Sequence, residues 1–176
     1  MNVHSPNAPA TAPGSRAERR WRTRRALLDA ALELQEDGGF ASLSMSGVAR
    51  RAGIVPSAFY RHFAGMEELG VALIDESFGT LRTMLSAARA DPRTYEHVVG
   101  RSVEILARYV REHRAHFRFI GRERSGGVAV LRDAIRREIR AFASDLATDL
   151  ARFPELAHWS SEDLRLLAGI FVNVMV

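Results

Sequence analysis

Between residues 50 and 63 the chain reads RRAGIVPSAFYRHF, and two of these residues do most to limit what it can fold into. Gly53 can supply the positive φ that ends a helix. Pro56, barred from a helix interior but favoured in a first turn, can open the next one. The pattern predicts a helix, a three-residue turn and a second short helix from Pro56 to about Phe63. That second helix ends in Tyr60, Arg61 and His62, three polar-tipped side chains gathered where a core helix would not place them.

The same punctuation can be followed along the rest of the chain. Residues 1–15 are mainly Pro, Ala, Asn and Ser and bury too little to repay ordering, so they are expected to be a disordered tail. From Ala17 a helix is predicted with Leu27, Leu28, Ala31, Leu32 and Leu34 on its apolar stripe, stopped by Gly38-Gly39. Phe40 and Leu43 return to the core, and Ser44 caps a helix that buries Val48, Ala49 and Ala52. Phe59 and Phe63 bury the short helix after Pro56. A long helix begins near Glu67, carries Leu69, Leu73, Phe78, Leu81 and Leu85, and breaks at Asp91-Pro92. A helix from about Thr94 to Glu112 uses Val98, Val99, Leu106, Tyr109 and Val110. After the brief segment RAHFRFIGRE and the turn RSGG, another runs from Val128 to about Arg152 on Leu131, Ile135, Ile139, Phe142 and Leu146. The last starts at a Ser160 or Ser161 cap. No segment alternates at period two, so the predicted class is all-α with about eight helices.

Composition narrows the chemistry. No stretch approaches the roughly twenty apolar residues of a membrane span, and no secretory signal is present, so a cytoplasmic protein without membrane contact is expected. The chain has no cysteine, which excludes disulfides and thiolate sites. All 25 basic residues are Arg, and their placement is uneven. Residues 1–62 hold nine Arg against five acids, while residues 63–176 hold sixteen of each. The net charge of +4 thus belongs to the N-terminal third, as expected if that third meets a polyanion.

Three short helices with a sharp turn before the third form a helix-turn-helix, whose last helix can enter the major groove of duplex DNA. Ser57 and Ala58 are small enough to let backbone approach base edges, with Ala58 able to touch a thymine methyl. Tyr60 and His62 can hydrogen-bond phosphates, and Arg61 can do so or neutralise one. The run RAERRWRTRR at 16–25, with Arg22 and Arg25, supplies a basic arm beside them. Catalysis has no comparable support: the six histidines are scattered, and there is no metal-ligand spacing, nucleophile elbow or Gly-rich phosphate loop. A helical adaptor that does not bind DNA is the better rival, but it has no reason to collect phosphate donors at one end.

The stretch LSMSGVARRAGIVPSAFYRHFAGMEELG resembles the DNA-binding domain of TetR-type one-component repressors over about residues 20–70. The rest is similar to the FabR/DesT branch, through FASLSM, AGIVPSAFYRHF, EELG, DES at 75–77 and RERSGG at 122–127. The resemblance implies a helix-turn-helix domain at 16–65 and a ligand-binding and dimerisation domain at 66–176. It implies that Ser44 and Ser46 anchor the second helix on phosphates, Pro56, Ser57 and Ala58 face bases, and Tyr60 and His62 hold the backbone. It also implies a homodimer on a pseudo-palindromic operator and, as effector, a long-chain acyl-CoA or acyl carrier protein thioester, with no cofactor. The sequence departs from the pattern twice: Val55 stands where a capping Ser is common, and Met66 where a Lys is common.

A family-like acyl pocket would lie among Phe78, Leu81, Tyr109, Phe117, Ile120, Phe142 and Leu146, although such stripes are also what any helical core needs. Arg122 and Arg124 are placed at its mouth, pairing with anionic groups or Glu and passing occupancy to the DNA-binding helices. The final LLAGIFVNVMV carries no stop signal or polar last turn, so the C-terminal bundle is expected to be truncated.

Overall fold

The computed structural model describes residues 15–89 and 95–175. Among these residues the chain is all-α: α1 (Arg16–Gly38), α2 (Met45–Arg51), α3 (Pro56–Phe59), α4 (Met66–Arg89), α5 (Tyr95–Glu112), α6 (Arg114–Glu123), α7 (Ala129–Leu150) and α8 (Ser161–Met175). Short 3-10 turns lie at Phe40–Ser42 and Pro154–Leu156. Of the predicted tail, Ser15 is ordered as the α1 cap and accepts from the Glu18 N–H at 3.2 Å, while residues 1–14 lie outside the described residues, as do Asp91-Pro92 and the side chains of Val98 and Val99.

The boundaries follow local chemistry. Gly39, at φ 76°, ends α1 by donating to the Gln35 carbonyl at 3.0 Å, and Gly53, at φ 72°, ends the turn after α2. Ser44 caps α2 by accepting from the Gly47 N–H at 3.1 Å. Ser160 and Asp163 form a reciprocal cap at α8: Ser160 Oγ accepts from the Asp163 N–H, and the Asp163 carboxylate accepts from the Ser160 N–H. Two expectations need correction. The α-helical part of α3 is only Pro56–Phe59, and the path to Phe63 continues as tighter turns, with the His62 and Phe63 amides both donating to the Phe59 carbonyl. RAHFRFIGRE is a full helix, α6.

One core joins the helix-turn-helix region to the C-terminal bundle. Leu27 and Ala31 of α1, Val48 of α2, Phe59, Phe63, Leu69, Leu73 and Ile74, Phe119 of α6, and Leu131 and Ile135 of α7 are all buried in it. Full burial of each of the larger side chains stabilises by roughly 1.5–3 kcal/mol. Leu34 departs from the predicted stripe and is exposed, while Gln35 takes the buried position. Gly70 lets α4 approach closely, because a Cβ there would meet Leu131 at 2.6 Å and Phe40 at 2.8 Å. A smaller cluster of Ala147, Leu150, Phe153, Leu164 and Ala168 fixes α8 on α7. Leu166, Ile170, Phe171 and Val174 remain exposed on α8.

Candidate nucleic-acid interface

α3 is held from its apolar side. The Phe59 and Phe63 rings, both buried, pack at 5.7 Å, and the Phe59 ring meets Tyr60 edge-on. With these rings inward, Pro56 and Ser57 are exposed and Ala58 is half-buried. Tyr60, 62% exposed, and Arg61 also point to solvent. Val55 precedes the helix without a side-chain cap, and Pro56 occupies the first turn, where its missing N–H costs nothing. Ser44 and Ser46 are exposed at the start of α2. Ser44 spends its oxygen on the cap yet keeps a hydroxyl proton to donate.

Arg24 clamps this tip from behind. Its Nη1 donates to the His62 carbonyl at 3.0 Å, and its guanidinium lies 4.2 Å from the centroid of the Phe63 ring. This role lay hidden in a run that reads as a basic arm. The signal was spacing, since Arg24 sits three residues before Leu27 and so on the buried stripe of α1. His62 is half-buried, and its Nδ1 is buried without a partner among the described residues. Burial, then the cations Arg20, Arg24 and Arg61, hold its pKa below 6.5, so the imidazole is neutral near pH 7. A neutral ring still carries one N–H to donate, and an approaching phosphate would raise its pKa again.

The two arginines singled out on α1 part company. Arg22 is exposed and weakly paired with Glu18 at 3.7 Å, a contact that solvent screens. Arg25 is not presented as an open phosphate ligand: Asp29 holds it at 3.0 Å on α1, and Glu76 pairs with it from α4. It ties α1 to the bundle. At the departure from the family's usual Lys, Met66 opens α4 and packs against the core.

The apolar pocket candidates all lie in or against the core. Phe78, Leu81, Tyr109, Ile120 and Phe142 are buried in it, and Phe117 and Leu146 are half-buried against it. The Tyr109 hydroxyl donates to the Ser77 carbonyl at 3.0 Å, and the Tyr109 ring packs edge-on to Phe117. Arg122 and Arg124 diverge. Arg122 donates to the Gln35 carbonyl of α1 at 2.8 Å, whereas Arg124 donates to Asn173 of α8 at 2.8 Å. Among the described residues no group of three His, Asp or Glu could hold a metal ion, and no helix is long and apolar enough to cross a membrane.

A short exposed helix carrying small residues and followed by hydrogen-bond donors, clamped by a basic helix and built onto an α bundle, has the form of a helix-turn-helix regulator of transcription. The comparisons agree. Residues 27–73 match the family described as bacterial regulatory proteins, tetR family, and residues 95–175 match the tetracyclin repressor-like C-terminal domain. The chain belongs to the TetR family, whose members are DNA-binding transcription factors and not enzymes. The fold is shared with the fatty acid degradation regulator FadR from Bacillus halodurans, at TM-score 0.74 and 17% identity over 87% of this chain and 80% of that one. SmeT, in complex with triclosan, matches at TM-score 0.72 and 20% identity over 87% and 76%. NalD, the secondary repressor of the MexAB-OprM multidrug efflux pump in Pseudomonas aeruginosa, matches at TM-score 0.60 and 24% identity over 90% and 86%.

Proposed function

We propose that this chain is a repressor of unsaturated fatty-acid or lipid metabolism genes, binding a pseudo-palindromic duplex as a homodimer and tuned by a long-chain acyl thioester. The observation that carries the DNA reading is the Tyr60–Arg61–His62 tip, with Tyr60 and Arg61 exposed and His62 half-buried, clamped by Arg24. Pro56, Ser57 and Ala58 are the base-facing residues. Ser44, Ser46, Arg22, Tyr60, Arg61 and His62 meet the phosphates. The apolar α8 face supports pairing of two chains, which sets two reading helices one groove turn apart, about 34 Å.

The acyl effector rests on the resemblance to the FabR/DesT branch and on the largely apolar inner residues of α4, α6 and α7, among which Ser77 and Glu123 are the buried polar ones described. The likeness to FadR supports only the fold. SmeT, of the same fold, is described with triclosan, so an unrelated apolar effector is the second reading. Effector occupancy acts by population shift, favouring one separation of the reading helices.

The test begins by selecting a binding duplex from a random pool and measuring affinity by fluorescence anisotropy. A Tyr60→Ala, His62→Ala chain removes two hydrogen bonds per protomer and should lose at least about tenfold in affinity for every duplex. Equal binding by wild type and this variant would sink the DNA assignment. Titrating the complex with palmitoleoyl-CoA, free CoA and triclosan then separates the effector readings: only the first should change affinity if the acyl reading holds.

A further inference from the structure

The end of α6 and the turn that follows it touch three parts of the molecule through consecutive residues. Arg122 donates to the Gln35 carbonyl near the end of α1. Glu123, only 2% exposed, accepts from the Phe40 N–H at 3.0 Å through Oε1. Arg124 reaches Asn173 on α8, and Arg132 of α7 donates to the Gly126 carbonyl at 2.6 Å. One short segment therefore links the corner between α1 and α2 to the helix that carries the exposed apolar face.

The corner is fitted closely around Glu123. A Cβ on Gly126 would stand 2.5 Å from Glu123 Oε2, and one on Gly39 would stand 3.6 Å from Oε1. The Phe40 ring packs on Phe119 of the same helix at 5.8 Å. Two polar atoms here are buried without a partner among the described residues, Glu123 Oε2 and Gln35 Nε2. One is an acceptor and the other a donor, and Gln35 is itself only 1% exposed. A buried acceptor and a buried donor left unpaired at one junction each carry a desolvation cost, so the contacts that are made there, to Phe40 and Gln35, fix the junction.

From this geometry we infer that Glu123 is a positioning residue, holding the helix-turn-helix region in one orientation on the bundle and so fixing the separation of the two reading helices. The inference rests on the proposed dimeric DNA binding. The Phe40 amide is the point of attachment, and the Arg124–Asn173 contact carries the same register to α8. Losing the carboxylate frees the orientation of the helix-turn-helix region without touching its DNA-facing residues.

The experiment compares wild type with Glu123→Ala, Glu123→Gln and Gly126→Ala by two readouts. The first needs no DNA. The chain lacks cysteine, so spin labels on Ser57→Cys and Ser144→Cys, diluted with unlabelled chain, report the distance between α3 and α7. Glu123→Ala and Gly126→Ala should broaden or shift that distribution, whereas Glu123→Gln, which keeps an acceptor for Phe40, should retain it. The second readout is selectivity among duplexes whose half-sites are moved apart by one or two base pairs. Wild type should discriminate between spacings, and the first two variants should lose roughly fivefold or more of that discrimination while keeping affinity for a single half-site. Wild-type widths and spacing selectivity in both Glu123→Ala and Gly126→Ala would overturn the inference. Should Glu123→Ala not fold, Gly126→Ala decides. Should wild type bind no duplex, the proposed function fails, and the distance measurement still decides the role of Glu123.

Discussion

The tip of α3 and the outer face of α8 both point to solvent, with opposite chemistry. At the α3 tip the large apolar rings are buried, and beside the exposed Val55 and Pro56 the exposed side chains are a phenol, a guanidinium and a hydroxyl. On α8 the exposed residues include Leu166 at 65%, Ile170 at 55% and Val174 at 82%, spaced by four along one stripe, with Phe171 beside them. A polar tip is stable in water alone and waits for a polyanion. An apolar stripe of this kind marks a protein contact. The difference teaches that exposure alone says little, and that the chemistry of what is exposed tells which partner the face was built for.

The sharpest way to break this contrast is to put a charge in the middle of the α8 stripe. Ile170→Glu should convert the dimer to monomer by light scattering and leave helical content unchanged. Two linked binding events then become separate ones, and affinity for a full operator should fall by about 100-fold or more, while single half-site affinity stays at the wild-type level. A dimer that survives Ile170→Glu would show that α8 pairs nothing, and the contrast between the two faces would collapse. Tyr60→Ala should leave the oligomeric state untouched.

How far the sequence revealed these faces depends on the range of the interaction. The helix-turn-helix was legible because Gly53, Pro56 and Ser44 act within a few residues of themselves, and their effect survives in any context. The buried stripes of α4 and α7 were legible from spacing. What escaped was long-range: Arg24 reaches a carbonyl 38 residues away, and Glu123 reaches an amide 83 residues away. Leu34 was misplaced because hydrophobicity argued for the leucine, whereas the angle around α1 placed Gln35 inward. Such partnerships depend on how helices cross, which no local pattern encodes.

Arg24 and Arg22 sharpen the comparison from behind the tip. Both belong to the same basic run, yet Arg24 packs on Phe63 and His62 while Arg22 lies in solvent. Arg24→Gln loses a charged hydrogen bond and a contact with a ring face, and should lower stability by about 1–2 kcal/mol in a denaturant titration. Arg22→Gln should leave stability unchanged and instead lower the salt dependence of DNA binding by about one phosphate contact. If the two variants behave alike in both assays, the division of the run into a clamp and a phosphate contact is wrong.

The smallest expected effect lies away from both faces, where α6 approaches α1. His116 of α6 is half-buried. Burial, then the neighbouring His113 and Arg25, hold its pKa down to about 4, with Asp29 opposing them. Glu76 and Asp29 both pair with that Arg25. The ordinary value is 6.5, so between pH 6.5 and 4 the unfolded chain binds more protons at this site than the folded one. The stability that the neutral ring contributes is therefore complete above pH 6.5 and is lost as the pH falls toward 4. Residual solvent contact reduces the effect to on the order of 1 kcal/mol. His116→Gln should flatten that part of the pH–stability curve, measured by denaturant unfolding at half-unit steps, without changing DNA affinity at pH 7.5. His62 provides the contrast. Its pKa is also lowered, but three arginines contribute and a phosphate would reverse the shift, so acid should destabilise the fold through His116 while favouring the DNA complex through His62. An acid slope that persists in His116→Gln would place its origin in other groups, and the separation of the two histidines would not stand.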